Sequence, residues 1–279
     1  MVTPASGCRS SECSFRRVTA LPIPSTSSSP LLFYEPRLTV VARPQFTEPS
    51  HLPVEWLGEA SGGERLAEFA GRLCYMSQRN PARRSTQEYL ENIKRQGHGS
   101  VLEHSNYSIL LEGVSRSLTH ELVRHRAGFA YSQLSQRYVD ESEAHFVVPP
   151  AIIGDEMLEA EWRRQVEEAQ RAYVATVNRL IERYGWVADK IHRRKMAREA
   201  ARSVLPNATE TKIIVTGNAR AWRTMLELRA GEGAELEIRR CAVALIRLLQ
   251  EEAPAFFSDF EIYEAEDRRE AARVRFHKV

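Results

Sequence analysis

Cationic and hydrogen-bonding side chains are concentrated between His120 and Arg137. Arg124, His125 and Arg126 are consecutive, and no acidic residue lies between Arg124 and Arg137. Exposed helix arginines are usually solvated, but this stretch lacks the acidic partners of an ordinary salt-bridged face. Hydroxyl and amide side chains follow at Ser132, Gln133, Ser135 and Gln136. Guanidinium groups beside such donors suit a phosphate group or a nucleotide base.

A metal site is the first alternative, because His120 and Glu121 resemble the start of the zinc motif H-E-x-x-H. The next histidine, His125, comes five residues later instead of four. On a helix this spacing separates the two rings by about 140°, whereas the zinc motif separates them by roughly 40°. The neighbouring arginines would also repel a cation. The sequence therefore favours an anion site, and a metal-dependent hydrolase is a weaker hypothesis.

Several standard site motifs are absent from the sequence. Neither the dinucleotide motif G-x-G-x-x-G nor the P-loop occurs. The four cysteines, Cys8, Cys13, Cys74 and Cys241, are scattered and form no C-x-x-C pair. We expect reduced thiols, with Cys74 and Cys241 buried as small apolar side chains. A disulfide framework and a cysteine nucleophile are both disfavoured.

The composition excludes several classes of protein. A hydrophobic content of 43% over 279 residues is enough for a substantial core. Lys and Arg total 39 against 37 for Asp and Glu, and the net charge of +2 argues against a general nucleic-acid or membrane-surface binder. No apolar run approaches the roughly 20 residues that span a bilayer, and no secretory signal is evident. We expect a cytoplasmic protein without a nucleic-acid or membrane partner.

The elements before the cationic stretch are predicted from periodicity and caps. Residues 38–42 alternate and are β-branched, which predicts a first strand. A core-facing helix is predicted from the stripe Leu66, Phe69, Ala70, Leu73 and Cys74. Ser85 and Glu88 form a capping box for a helix that ends at Gly97, and residues 105–111 predict another strand. Leu118 and Leu122 mark a short helix that leads into the arginines.

Long helices dominate the rest of the chain. One is predicted over residues 162–184, and a second ends before Pro206. A strand follows at 212–216, then a helix that Asn218 caps, and a last core helix over 238–248. The absence of regular β-α alternation predicts an α+β fold. The expected organisation is a disordered Ser/Pro-rich tail (1–35), one domain (36–265) and a charged C-terminal tail (266–279).

The sequence resembles the flavin-dependent thymidylate synthase family over roughly residues 38–264. Arg124-His125-Arg126 followed by Ser135-Gln136-Arg137-Tyr138 is similar to the signature of that family, with eight intervening residues where seven are commonest. Further matching blocks are 97–104 (GHGSVLEH), 202–206 (RSVLP), 218–220 (NAR) and 228–229 (LR).

This resemblance implies a fold and an activity. The fold would be a single α+β domain with a mostly antiparallel sheet and long helices, assembled as a homotetramer with active sites shared between subunits. The reaction would be reductive methylation of dUMP to dTMP. The methylene donor would be 5,10-methylenetetrahydrofolate, and the hydride would come from reduced FAD, which NADPH regenerates. No enzyme cysteine is needed, in agreement with the scattered thiols.

The resemblance also implies roles for individual residues. Arg229 would be the catalytic residue, since a guanidinium beside uracil N3 stabilises the ionised ring. FAD would be bound by His98, Ser100, Arg124, His125, Arg126, Gln133, Asn218, Ala219, Arg220 and Thr224, with His98 and Ser100 supplied by a neighbouring subunit. Substrate dUMP would be bound by Glu121, Leu122, Val123, Arg124, Gln133, Leu134, Ser135, Gln136, Arg137, Arg202 and Arg229. No residue is assigned to a metal.

Other interpretations of these residues remain open. Position alone favours Arg229 as a cation that interacts with a helix dipole. Ser135 has no obvious activating base, so we favour substrate binding over covalent catalysis. For the whole protein, the alternative is a nucleotide- or RNA-binding module without catalysis, which would use the arginine cluster.

Overall fold

The computed structural model describes residues 30–279 as a central sheet surrounded by helices. The strands are β1 (Leu32–Phe33), β2 (Arg37–Ala42), β3 (Asn106–Ser115), β4 (Phe129–Gln133), β5 (Phe146–Val147), β6 (Glu210–Asn218), β7 (Phe260–Glu264) and β8 (Glu270–Val274). The α-helices are α1 (Gly62–Cys74), α2 (Thr86–Arg95), α3 (Arg116–Leu122), α4 (Glu156–Arg183), α5 (Lys190–Ala201), α6 (Ala219–Arg229), α7 (Leu236–Glu252) and α8 (Pro254–Phe257). Short 3-10 turns cover Gly99–His104 and Arg202–Val204. The α+β prediction is confirmed.

The main sheet has the order β2-β3-β6-β4, and all its pairs are antiparallel. Strands β3 and β6 are central, with Ile109 opposite Val215. Both side chains are fully buried, because alternate residues of each strand point to the core. Helices α6 and α7 pack in the same hydrophobic core through Trp222 and Leu245. The sheet thereby fixes the start of α6, which follows β6 without a gap.

The prediction for the face of α1 is confirmed only in part, since Ala70 packs against the main core and Phe69 lies against Phe46. The helix exists and begins with a complete capping box at Ser61, but Leu73 and Cys74 are exposed while Glu64, Glu68 and Arg72 are buried. These charges are buried because each has a partner. Arg72 pairs with Glu68 at 2.6 Å, and the Glu64 carboxylate accepts hydrogen bonds from backbone N–H groups. Ion pairing and backbone hydrogen bonds therefore stabilise charged side chains on a buried face of this helix.

A second buried ion cluster joins three distant parts of the chain. Asp259 accepts hydrogen bonds from Arg223 on α6 at 2.7 and 2.9 Å and from Lys94 on α2 at 2.7 Å. The side chains of Arg223 and Asp259 are only 2% and 1% exposed. Arg223 also donates to the carbonyl oxygen of Phe276. The cluster therefore fixes α6 against α2 and the C-terminal segment.

The predicted tails differ from the structure where it describes them. Residues 1–29 of the expected N-terminal tail lie outside the described residues, but Leu32–Phe33 form β1, which pairs in parallel with β5. The prediction of a C-terminal tail over 266–279 is wrong. Strand β8 pairs with β7, and Ala271 and Ala272 are buried. Charged residues on either side of these alanines concealed a short strand that forms a hairpin with β7.

Most predicted elements are confirmed with small changes of length. Strand β3 extends beyond the predicted 105–111, β6 extends beyond 212–216, and Asn218 caps α6 as expected. Ser85 and Glu88 form the predicted capping box of α2, and Cys241 is buried. Strand β4, inside the cationic stretch, was not predicted. Among residues 30–279, no helix is both long and apolar enough to cross a membrane.

Candidate functional site

The arginine triplet lies in a tight connection between α3 and β4. Ser115 caps α3 by accepting from the Leu118 N–H, and the helix ends at Leu122. The hydroxyl of Tyr131 on β4 lies 3.0 Å from the Leu122 carbonyl oxygen and 2.6 Å from that of His125. Burial raises the pKa of Tyr131 to about 12, so the phenol remains a donor. Tyr131 thus holds the end of α3 and the triplet in one conformation.

Arg229, at the C-terminal end of α6, contacts two side chains of this connection. Its Nη1 lies 2.6 Å from Glu121 Oε2, and its Nε lies 3.0 Å from His125 Nε2. Burial lowers the pKa of His125, and the Arg229 charge lowers it further, so the imidazole is neutral at pH 7. The structure therefore brings Arg229 to Glu121 and His125, which lie more than a hundred residues before it in the sequence.

A cleft of about 540 Å³ separates the triplet from the start of α6. Five of the predicted flavin-binding residues line it: His125, Arg126, Asn218, Arg220 and Thr224. The remaining lining residues are Glu103, Ala127, Gly128, Phe129 and Ala221. The N-terminus of α6 faces the same region. Its Ala219 N–H donates to the Ser105 carbonyl oxygen and its Ala221 N–H to Asn218 Oδ1, so the helix favours anions there chiefly through its dipole. The cleft combines guanidinium groups with a helix terminus, which suits a phosphorylated ligand.

The other predicted flavin-binding residues are placed elsewhere. His98 and Ser100 line a second cleft of about 350 Å³, which Arg220 also lines. The Arg220 guanidinium is ion-paired with Glu103 at 2.6 Å. Arg124 is exposed beside the first cleft, and Ala219 is fully buried beneath it. Within one chain, residues of the predicted flavin-binding set therefore line two adjacent clefts.

The predicted dUMP residues form a segment that begins at the end of β4. The amide of Gln133 is turned inward and donates to Thr119 Oγ1 at 3.0 Å. Ser135 Oγ accepts from the Arg137 N–H, and the Arg137 side chain pairs with Glu199 at 3.1 Å. Leu134, Ser135 and Gln136 are partly buried, as is Val123. The Leu122 side chain is fully buried, which leaves only its backbone for a ligand.

Sequence reasoning missed Arg116, the first residue of α3. Its Nη2 donates to the Leu134 carbonyl oxygen at 2.7 Å and so supports the segment that contains Ser135. Burial lowers the pKa of Arg116, and the charge of Arg202 also lowers it. Arg202 lies in the 3-10 turn after α5 and is exposed. The charge of Arg202 acts on Arg116, which in turn contacts the segment that contains Ser135. The sequence gives no signal for this proximity.

Replacing Gly128 by alanine should disturb the first cleft. Gly128 has φ +76°, and a Cβ there would lie 2.7 Å from Asn218 Nδ2 and 2.8 Å from Ala221 Cβ. We expect Gly128→Ala to weaken flavin binding, because the connection must move away from the start of α6. Gly154→Ala is the matched control, since Gly154 also has positive φ but no atom within 4 Å of the added Cβ.

Flavin fluorescence titrations and thermal unfolding of both variants test this expectation. Both variants should lose about 1–2 kcal/mol of stability from the backbone conformation alone. Only Gly128→Ala should lose flavin affinity. Equal flavin affinity in the two variants would contradict the steric argument.

Comparisons with known proteins show the family to which this chain belongs. The sequence model of the family described as "Thymidylate synthase complementing protein" matches residues 57–255. The flavin-dependent thymidylate synthase of Mycobacterium sp. (strain JLS) is 49% identical over 244 residues, covering 85% of this chain and 94% of that protein. That of Mycobacteroides abscessus is 46% identical over 238 residues, with the same coverage.

A solved structure has a similar fold. The UMP/dUMP methylase PolB from Streptomyces cacaoi, bound with 5-Br dUMP, superposes with a TM-score of 0.60 at 20% sequence identity. The match covers 82% of this chain and 95% of PolB. At this identity the likeness concerns the fold. The family model matches most of the chain, and relatives share nearly half of its residues. The chain therefore belongs to the flavin-dependent thymidylate synthase family.

Proposed function

We propose that this protein catalyses the reductive methylation of dUMP to dTMP with a bound flavin. The observation that carries the proposal is the position of Arg229, which Glu121 and His125 hold beside the arginine-lined cleft. Relatives that share nearly half of their residues with this chain are named flavin-dependent thymidylate synthase, in support of the activity. The enzyme is accordingly a methyltransferase.

The residues of the first cleft fit FAD. Arg126 and Arg220 offer guanidinium groups to a pyrophosphate, and the positive end of the α6 dipole lies at the same cleft. Asn218 already uses its Oδ1 to cap α6, so its Nδ2 is the side-chain atom left to donate to a ligand. When bound, reduced FAD supplies the hydride, and we infer that NADPH is the reductant and 5,10-methylenetetrahydrofolate the methylene donor.

The Ser135 segment fits the nucleotide phosphate of dUMP. Ser135 provides a hydroxyl, Arg137 and Arg202 provide guanidinium groups, and Arg116 supports the backbone at Leu134. Binding would require Arg137 to exchange or share its exposed ion pair with Glu199, an inexpensive change because such pairs contribute little to stability. We therefore assign this segment to substrate binding.

In this proposal Arg229 acts on the uracil ring. A guanidinium beside N3 and the adjacent carbonyl stabilises negative charge on the ring, which makes C5 more nucleophilic. Glu121 and His125 contact Nη1 and Nε, so the Nη2 hydrogens are left to face a ligand. The side chain is thus both oriented and available.

We infer a homotetramer with shared active sites. Two observations support it: the C-terminal end of α1 and the residue that follows it expose the apolar side chains Leu73 and Tyr75, and the cleft that contains His98 and Ser100 lies next to the cleft proposed for the flavin. An exposed apolar helix face is typical of a surface that another subunit covers. In the assembly, His98 and Ser100 would approach the flavin of a neighbouring subunit.

Tritium release from C5-labelled dUMP tests the proposed function. The purified protein should bind FAD, with a visible flavin spectrum that changes on dUMP titration. It should release tritium when NADPH and 5,10-methylenetetrahydrofolate are supplied. Failure to bind FAD, or release no faster than without enzyme, would refute the proposal. Salt-sensitive binding of RNA oligonucleotides in preference to dUMP would favour the non-catalytic alternative.

The Ser135→Ala variant distinguishes substrate binding from covalent catalysis. We expect a KM for dUMP about 10-fold higher, from the loss of one hydrogen bond to a charged group, with substantial residual kcat. Steady-state kinetics with saturating FAD measure both parameters. Complete loss of turnover in a variant that still binds dUMP would instead indicate a nucleophilic serine.

A further inference from the structure

The contact between Arg229 and His125 specifies the chemical state of the imidazole. An arginine Nε always carries a hydrogen and can only donate. Because Arg229 Nε lies 3.0 Å from His125 Nε2, the ring nitrogen must accept. This assigns the neutral tautomer, with the proton on Nδ1. His125 is therefore an acceptor towards Arg229, in addition to lining the cleft proposed for the flavin.

We propose that His125 is a positioning residue for Arg229: its unprotonated Nε2 holds the Nε–H group and, together with the Glu121 ion pair, fixes the plane of the guanidinium. The inference rests on the proposed function, which gives Arg229 its role at the uracil ring. It adds a second task to a residue that the family resemblance assigns only to the cofactor.

Two contacts are needed because either one alone leaves the guanidinium free to rotate about it. Glu121 holds Nη1 at 2.6 Å and His125 holds Nε, so two of the three nitrogens are fixed in different directions. Nη2 forms no hydrogen bond to any residue in the described range 30–279. The two contacts therefore determine where the Nη2 hydrogens point, and that direction decides whether they meet a planar ring.

The surroundings of His125 keep its ring in place and neutral. Tyr131 holds the His125 carbonyl oxygen, which ties the backbone of the residue to β4. Half-burial and the Arg229 charge both disfavour the imidazolium form, which could not accept from Nε–H. The charged groups that contact His125 or share its cleft are Arg229, Arg126, Arg220 and Glu103, and Glu121 is ion-paired with Arg229. His125 Nε2 should therefore stop accepting the hydrogen bond from Arg229 only at acid pH.

A double-mutant cycle on the holoenzyme tests the proposal. His125→Ala should lower kcat by about 10- to 100-fold at saturating FAD and dUMP, because a catalytic group that is displaced slightly causes a rate loss of this size. His125→Gln should recover most of this loss, because its amide oxygen can replace Nε2 as acceptor. In an Arg229→Lys background, His125→Ala should add less than about a twofold loss, since Nε–H is already absent. Equal losses in both backgrounds would overturn the proposal.

The pH profile gives a second reading of the same variants. Wild-type kcat should fall at acid pH as His125 becomes protonated and stops accepting from Arg229. The His125→Gln variant should lack this acid limb, because its amide does not titrate. An unchanged acid limb in His125→Gln would contradict the assignment.

Nitrogen-15 spectra of the histidines separate this inference from the proposed function. The His125 resonances, identified by their loss in His125→Gln, should have a non-protonated Nε2 and a protonated Nδ1. The uncharged variant Arg229→Met should raise the pKa of His125. A protonated Nε2 in the neutral ring, or an unchanged pKa, would refute the contact. If the spectra agree but the wild-type enzyme releases no tritium from dUMP, the proposed function fails while the His125–Arg229 contact stands.

Discussion

The Arg229→Lys variant should lose turnover by about 100- to 1000-fold while binding FAD as tightly as the wild type. Lysine keeps the positive charge but has no Nε–H and no planar fork. It cannot contact Glu121 and His125 and also present a donor to the uracil ring. Arg229 does not line the cleft proposed for the flavin, so flavin affinity should not follow the loss of kcat.

Steady-state kinetics with dUMP and a flavin fluorescence titration measure the two quantities separately. Arg126→Lys is the matched control, because Arg126 lines the cleft proposed for the flavin and should chiefly affect FAD affinity. Parallel losses of turnover and flavin affinity in Arg229→Lys would contradict the catalytic assignment. The same result would favour the interpretation of Arg229 as a structural cation at the end of α6.

The Asp259→Ala variant should lose about 3–5 kcal/mol of unfolding free energy. Without the carboxylate, Arg223 and Lys94 are left as buried cations with only carbonyl partners. Burial by itself would raise the pKa of Asp259, but the hydrogen bonds and charge of Arg223, with Lys94, hold it below its ordinary value. Its stabilising effect is therefore present at neutral pH and is lost as the pH falls through that lowered pKa.

Denaturant unfolding of Asp259→Ala at pH 7 measures this loss, and a matched control comes from the same segment. Glu261 on β7 pairs with Arg273 at 2.8 Å, but both side chains are more than 60% exposed. Glu261→Ala should change stability by less than about 1 kcal/mol. The expectation fails if Asp259→Ala costs no more than Glu261→Ala. A smaller dependence of stability on acid in Asp259→Ala than in the wild type would support the pKa argument.

The elements of this fold were predictable where local signals were strong. The capping box at Ser85, the Asn218 cap and the long apolar periodicity of α4 all specify helices without tertiary contacts. Strands β4 and β8 were not predictable in the same way. Each has only five residues, β4 pairs with the strand β6 that lies far away in the sequence, and the charged residues Glu270 and Arg273 of β8 obscure the buried alanines between them.

The candidate site was predictable as a set of residues but not as a geometry. The motif around Arg124–Ser135 indicates an anion site, yet nothing in the sequence links His125 to Arg229. That contact spans more than a hundred residues and depends on β6 delivering α6 to the end of α3. The role of Arg116 at the Leu134 carbonyl likewise depends on the path of the chain after β4. Long-range packing determines both features.

The burial of charged residues on α1 affects which substitutions the protein tolerates. Its charged residues should behave as core positions, so that replacing Glu68 leaves Arg72 without its carboxylate in a buried environment. Its apolar residue Leu73 should be less sensitive to replacement in an isolated subunit than a core leucine, because 42% of its surface is already exposed. In a tetramer that covers this face, the same replacement would weaken association instead. The mutational sensitivity of Leu73 at different protein concentrations therefore measures assembly, whereas that of Glu68 measures folding.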